Sequence, residues 1–495
     1  MFKHLLYSLA GIFLSACCGA PGNYTATNTA APMFPDYTEI TLPYNIAPLN
    51  FMLRGGYSEI YAKAKCDADE IEASGSTELI WDEGDWHDFL QRNKGKNAQL
   101  DVYGKKDGKW LLFKSSTWTI ANEPIDSYIS YRLIEPGYEV WNHIQICERN
   151  IESFDERVLI DNRDVDNNCM NCHTYGKKSG NLSFFHLRGK NGGTIINNDG
   201  KLKKLLLKDE LDDPCIYGDF HPSGRFIVYT TNTIIPALHT KGAERLEVYD
   251  ASSNLVVVDT KDNRIVTNKA LSDSITFMSF PTFTPDGRKI LFCGARKGEA
   301  ADLPFLKYSL CCVSFDQVTG MPGDVVDTLY NAKENGHSVS FPKCSPDGKY
   351  ILYTISDCGT FPIWHKEADL QIMAIASKKV NNLSETNSSN SDTYHSWSTN
   401  AHWFVFASKR DDGMYGKPYF AHVDDKGNVS KAFCLPQKHP TFYDNTFKSF
   451  NIPELSNTPT NFNADDIKNV YFNTQAQKAD VLSITEDDST ATIDN

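Results

Sequence analysis

The chain has 495 residues, with 49 basic and 63 acidic side chains, a net charge of −14, and 41% hydrophobic and 23% charged residues. This is too long for one ordinary domain and normal for a globular protein. No lysine or arginine cluster forms a phosphate-binding face, which argues against nucleic acid as a partner and leaves a basic protein as the partner the charge would suit.

Lys3 is a positive start and Leu5 to Leu14 a short apolar run. The run is well below the roughly 20 residues of a spanning helix, so residues 1–16 read as a cleaved signal peptide. Leu14-Ser15-Ala16-Cys17 resembles a bacterial lipobox, which implies cleavage before Cys17 and lipidation of its thiol. Cys18 stands where an aspartate would favour the inner membrane, so the expected location is the outer membrane, facing the periplasm. Residues 17–45, rich in Thr, Asn, Ala and Pro, read as the lipidated cysteine and a tether.

Residues 46–125 alternate apolar and polar side chains, as in Leu100-Asp101-Val102-Tyr103 and Trp110-Leu111-Leu112-Phe113. The intervening Lys106-Asp107-Gly108-Lys109 is a hairpin turn, and the segment reads as a small β-sandwich-like domain. From Tyr128 to Ile160 a further β unit follows, containing Tyr138-Glu139-Val140-Trp141 and Val158-Leu159-Ile160.

Cys169-Met170-Asn171-Cys172-His173 has the spacing that attaches a c-type haem: two thiols for the vinyl groups and an adjoining imidazole for the iron. Zinc would need a second ligand pair, and the chain has no other CxxC; a thioredoxin-like dithiol would follow a buried strand, whereas Asp164 to Asn168 is polar. The expected cofactor is therefore one covalent haem c, held by Cys169 and Cys172, with His173 as proximal ligand. Cys172 to Lys178 then leads into Leu182–Arg188 as a turn into a strand, with CxxCH in the turn. His186 on that strand is the first candidate for the distal ligand, ahead of Met278, His143, His221 and His337. Arg188 and Lys190 read first as a solvated strand end, with pairing to haem propionates as the second reading. Asp164, Asp166 and Asn168 lack the glycine and final glutamate of a calcium loop.

Further on, the chain repeats. His221-Pro222-Ser223-Gly224-Arg225, Thr284-Pro285-Asp286-Gly287-Arg288 and Ser345-Pro346-Asp347-Gly348-Lys349 each precede a strand of apolar residues, and a degenerate copy starts at Ser398-Thr399-Asn400-Ala401. The turn prolines are 63 and 61 residues apart and Thr399 stands 53 further on, longer than common propeller blades, so loops are inserted. This pattern resembles the TolB-type propeller repeat over roughly residues 210–435. The fold class read from it is all-β, a six-bladed TolB-like β-propeller over residues 126–473, with seven blades as the alternative count. Residues 474–495 read as a disordered acidic tail.

Ile46-Ala47-Pro48-Leu49-Asn50-Phe51, Trp118-Thr119-Ile120-Ala121-Asn122 and Phe185-His186-Leu187-Arg188-Gly189 complete a resemblance to a Bacteroidetes family of outer-membrane lipoproteins that combine a TolB-like propeller with CxxCH, described as cytochrome c or cytochrome c biosynthesis related. It implies architecture more firmly than activity. With no hydrolase elbow, phosphate loop or HExxH, the leading expectation is a lipid-anchored mono-haem electron carrier, working with a protein electron donor or acceptor. The alternatives are an interaction scaffold accessory to an outer-membrane complex, or a haem peroxidase or sensor if the sixth iron position is open.

Overall fold

The computed structural model describes residues 19–135, 142–207, 211, 214–239 and 246–483. The signal peptide, Cys17, and the Tyr138–Trp141 part of the early β unit lie outside these residues. Six sheets, each of four principal strands, follow one another along the chain and form a six-bladed β-propeller. Each blade is an antiparallel meander. Blade II runs through Met170–Tyr175, Leu182–Leu187, Gly193–Asn198 and Lys201–Leu206, and blade III through Cys215–Phe220, Phe226–Leu238, Leu246–Asp259 and Arg264–Thr267. Blade IV begins at Thr276–Phe283, blade V at Ser338–Cys344 and blade VI at Asp392–Trp397.

Blade I is composite: Tyr128–Ile134, Gln145–Asn150 and Glu156–Asp161 are completed by Ser449–Ser456 from near the C-terminus, which pairs antiparallel with Tyr128–Ile134. That late strand also packs against the first strands of blades II and VI, so the ring of inner strands is closed by the two ends of the domain.

The repeated turns join the first and second strands of blades III, IV and V. Gly224, Gly287 and Gly348 have φ of +81°, +70° and +72°, which is why glycine closes each copy. The CxxCH motif was expected in the corresponding turn of blade II. It lies instead on the inner strand Met170–Tyr175, and Gly176–Lys178 makes the turn. A register shift between Asn171 and Thr174 accommodates the motif within the ladder.

Before the propeller stands a domain with a seven-stranded sheet, a three-stranded sheet and the helix Glu83–Arg92, N-capped by Asp82. The hairpin at Asp107-Gly108 is present, with Lys106 opposite Lys109. Residues 17–45 are not simply a tether: Tyr24–Ala26 pairs with Trp110–Leu112, Ile40–Leu42 pairs with Trp118–Ile120, and Met33–Phe34 joins the small sheet. The cause is apolar burial, since Tyr37, Ile40 and Leu42 are enclosed. The domain shares one core with blades I, V and VI, in which Trp81, Trp86 and Trp118 join Trp397, Trp403 and Phe404. At the other end, part of the expected acidic tail is ordered: Gln477–Lys478 and Asp480–Ser483 pair in parallel with the outer strands of blades II and III, around the buried Ala479.

Candidate functional site

The inner strands carry a common irregularity that shapes the channel. In blades IV, V, VI and I a register shift places Phe280, Phe341, Tyr394 and Ile452 in the left-handed region, with φ between 52° and 54°. Non-glycine residues adopt this conformation at a cost, and bulges re-aim their side chains. Here the rings meet near the axis: Tyr217 lies 4.6 Å from Phe280, Phe280 4.0 Å from Phe341, and Phe341 4.9 Å from Tyr394, centroid to centroid.

Against these rings lies a cavity of about 630 Å³. Its walls are largely apolar, with Ile216 and Ile234 from blade III, Phe361 and Trp364 from blade V and Ile452 from blade I. The wall from blade III is a hairpin whose strands, Phe226–Leu238 and Leu246–Asp259, are 13 and 14 residues long. It is latched to blade V by His365, whose Nε2 is 2.5 Å from Glu247 Oε2 and whose Nδ1 is 2.9 Å from Glu367 Oε1. Burial alone would push the imidazole down, but the two carboxylates outweigh it and hold His365 up at about 10.

Between the apolar walls the cavity also meets charged groups, Arg132, Glu135, Arg188, Asp250 and Lys409. Asp250 accepts hydrogen bonds from Tyr308 Oη at 2.9 Å and Asn232 Nδ2 at 3.0 Å, and burial pushes it up to about 6 in spite of them. Lys409, at the end of the blade VI strand Trp403–Ser408, is 2% exposed. Its Nζ lies 3.0 Å from the centroid of the Trp364 ring and has no hydrogen-bond partner. Burial brings this amine down to about 6, with Asp412 partly opposing. Arg132, Arg188 and Cys169 line the cavity from blades I and II.

The motif residues are only partly brought together. Cys169 is buried between blades I and II and reaches the cavity wall; burial raises its thiol, and Arg132 and Arg188 pull it back. Cys172 lies on the inner strand of blade II. His173 is 4% exposed and faces blade I; neither ring nitrogen reaches a partner within normal hydrogen-bond geometry. Burial and the Arg132 cation hold it neutral, down to about 3, against a weak contact with the Ser130 backbone.

His186 was the expected distal ligand, and the structure does not bring it to His173. Its Nδ1 is 3.1 Å from Thr194 Oγ1, and its strand neighbours Phe185 and Leu187 face blade I, so by alternation His186 faces blade III. The two imidazoles thus leave opposite faces of blade II. Arg188 is exposed at the cavity wall, as expected of a strand end, and Lys190 is exposed. His143 is taken by Asp161 and Lys448, each at 2.8 Å, and His221 by Ser223 and the Gly287 carbonyl. Met278 sits in the core of blades III and IV, and His337 stands 3.6 Å from Asp357. Among the described residues no group of three or more His, Cys, Asp or Glu is placed to hold a metal ion.

For a haem, the fit is one-sided. A buried imidazole with two unsatisfied nitrogens suits a single axial ligand, and Cys169 reaches the cavity wall, but His173 itself does not line that cavity. A second axial histidine from blade II does not fit. Lys409 and Asp250 were not among the residues singled out in the sequence, because each is placed by neighbours from other blades.

No family model matches this chain, and no curated protein does. Among solved structures, it is similar to an oligogalacturonate lyase in complex with manganese, at 10% identity and a TM-score of 0.34, over 62% of this chain and 73% of that one. A DUF4784 family protein from Bacteroides caccae is similar at 8% identity and a TM-score of 0.30, over 87% and 99%. A periplasmic gluconolactonase from Pseudomonas aeruginosa is similar at 11% identity and a TM-score of 0.27, over 61% and 81%. The assignment as a propeller rests on the sheet topology of this chain, and these likenesses carry no chemistry to it.

Proposed function

We propose that this protein is a lipid-anchored mono-haem c-type cytochrome built on a β-propeller, passing single electrons to a protein partner at the periplasmic side of the outer membrane. The observation that carries the reading is His173: buried, neutral and with both ring nitrogens unsatisfied, directly after a CxxC. Leaving a buried polar group unmade costs about 1–3 kcal/mol, a cost that an iron ligand would remove.

In this reading Cys169 and Cys172 hold the group as thioethers, and His173 supplies a lone pair that its depressed basicity keeps free of protons. When bound, haem c supplies a one-electron iron couple. Blade I covers the imidazole from water, and Arg188 on the cavity wall is a candidate propionate contact. Cys17 anchors the chain through its lipid, and the net charge of −14 suits a basic electron partner.

A second reading, a haemless binding module, is favoured by the largely apolar cavity at the channel axis. A pyridine haemochrome spectrum of protein purified from its native envelope, beside Cys172→Ala, separates the two. A covalent c-type band lost in the variant is the expected result. Absence of covalent haem from the native protein overturns the cytochrome reading and leaves the propeller as a binding module.

A further inference from the structure

Lys409 is the group that neither the fold nor the motif explains. An amine 2% exposed, unpartnered and against an apolar cavity is an unusual thing to retain, since methionine would fill the same space without the desolvation penalty. Of the other charged groups on the walls, Asp250 has Tyr308 and Asn232, Glu135 accepts from the His143 backbone N–H at 3.1 Å, Arg132 donates to the Met170 carbonyl at 3.3 Å, and Arg188 is exposed to solvent. Asp412 acts on Lys409 only through space. The Trp364 face at 3.0 Å keeps the head group at the cavity's edge while offering its charge a weak partner.

What the site lacks is an anion carried on an apolar body. A carboxylate brought against the buried amine favours its protonated form, and the resulting ammonium is a compact point charge with three donors, suited to one carboxylate oxygen rather than to a planar fork. The aromatic rings of Tyr217, Phe280, Phe361 and Tyr394 supply the apolar surface such a body would cover. We propose that the cavity binds an apolar carboxylate, with Lys409 as its counter-cation.

Two sources have that chemistry: a propionate of an attached haem, or a free aromatic or alicyclic acid. Cys169 stands on blade II and Trp364 on blade V, which are opposite blades in a ring of six. Cys169 and Lys409, the latter on blade VI, line the same cavity, so a body attached at Cys169 that filled it would meet Lys409, whereas Arg188 lies beside the attachment point. The first source rests on the cytochrome reading; the second does not.

The test is calorimetric titration with 1-naphthylacetate and its neutral counterpart 1-naphthylacetamide. Both are added to the native protein and to a Cys169→Ala/Cys172→Ala variant that cannot attach haem. We expect the acid to bind at least about tenfold more tightly than the amide in one or both forms, as a charge-assisted hydrogen bond provides. Lys409→Met should remove that advantage, bringing acid and amide to the same affinity. Binding to the cysteine variant alone, with covalent haem in the native protein, identifies the propionate as the natural occupant. Binding to both forms identifies a free acid. Equal affinity for acid and amide, or no binding of the acid in either form, overturns the proposal without recourse to the lysine variant. The haem spectrum reports separately on the cytochrome reading.

Discussion

Replacing Lys409 by methionine should stabilise the protein and tilt its dependence on pH. In the unfolded chain the amine titrates near 10.5, and in the folded protein burial brings it down to about 6. Between these values the unfolded state holds one more proton, so this group makes stability rise with pH by about 1.4 kcal/mol per unit. His365 acts in the opposite sense. Its folded value is raised from 6.5 to about 10, so its contribution is fully present below pH 6.5 and is lost as pH rises toward 10. The slopes nearly cancel in the native protein. Without Lys409 the His365 slope stands alone, and stability should fall by about 2–3 kcal/mol between pH 7 and 9. At pH 7 the buried amine is mostly neutral, and giving up its proton costs about 5 kcal/mol by the same relation, so Lys409→Met should gain up to about 5 kcal/mol. Urea unfolding at pH 7, 8 and 9, followed by circular dichroism, measures both effects. Parallel pH profiles for native protein and variant would refute the argument and show that Lys409 stays charged on the Trp364 ring.

His365→Gln should show the mirror image, a profile that rises with pH, together with faster hydrogen exchange in Phe226–Leu238 and unchanged exchange in blade IV; unchanged hairpin protection would remove the latch from the account. Trp403→Ala empties a fully buried site whose indole donates to the Glu123 carbonyl at 3.1 Å. It should cost about 3–5 kcal/mol in urea unfolding, and a loss below about 1 kcal/mol would mean that the interface between domain and propeller repacks. Removing residues 474–495 should leave the blades folded but raise hydrogen exchange at the outer strands Lys201–Leu206 and Arg264–Thr267; unaltered exchange would show that the two parallel strands add nothing.

The propeller was legible where local chemistry is strict. Pro222, Pro285 and Pro346 start tight turns, and the glycines two positions on need positive φ, so the period is written in residue types that few other structures require. Ser449–Ser456 has no such mark, because its role is defined by a strand more than 300 positions earlier. The tether reading failed at Tyr24–Leu42 for a related reason: short strands rich in Thr and Pro look like linker until their partners are known. The helix Glu83–Arg92 was missed because only Trp86, Phe89 and Leu90 of its ten residues are buried, too few for a clear period. In the site, the CxxCH spacing was plain, but its place on a strand, and hence the separation of His173 from His186, depends on a register shift that spacing does not reveal. Lys409 follows an apolar strand and precedes Arg410, as a solvated strand end would. It becomes a cavity residue only through Trp364 of the adjacent blade.

Closure of blade I by Ser449–Ser456 makes the site conditional on the whole chain. Asn451 and Ile452, on the closing strand, are themselves part of the cavity wall. A polypeptide threaded outward from its N-terminus could form blades II to V as they emerge, yet it would have an open ring, an unpaired edge at Tyr128–Ile134 and no enclosed cavity until that strand arrives. Possession of the cavity therefore certifies that synthesis has passed residue 456. A shortened product would carry the CxxCH and every repeated turn and still be unable to enclose a ligand.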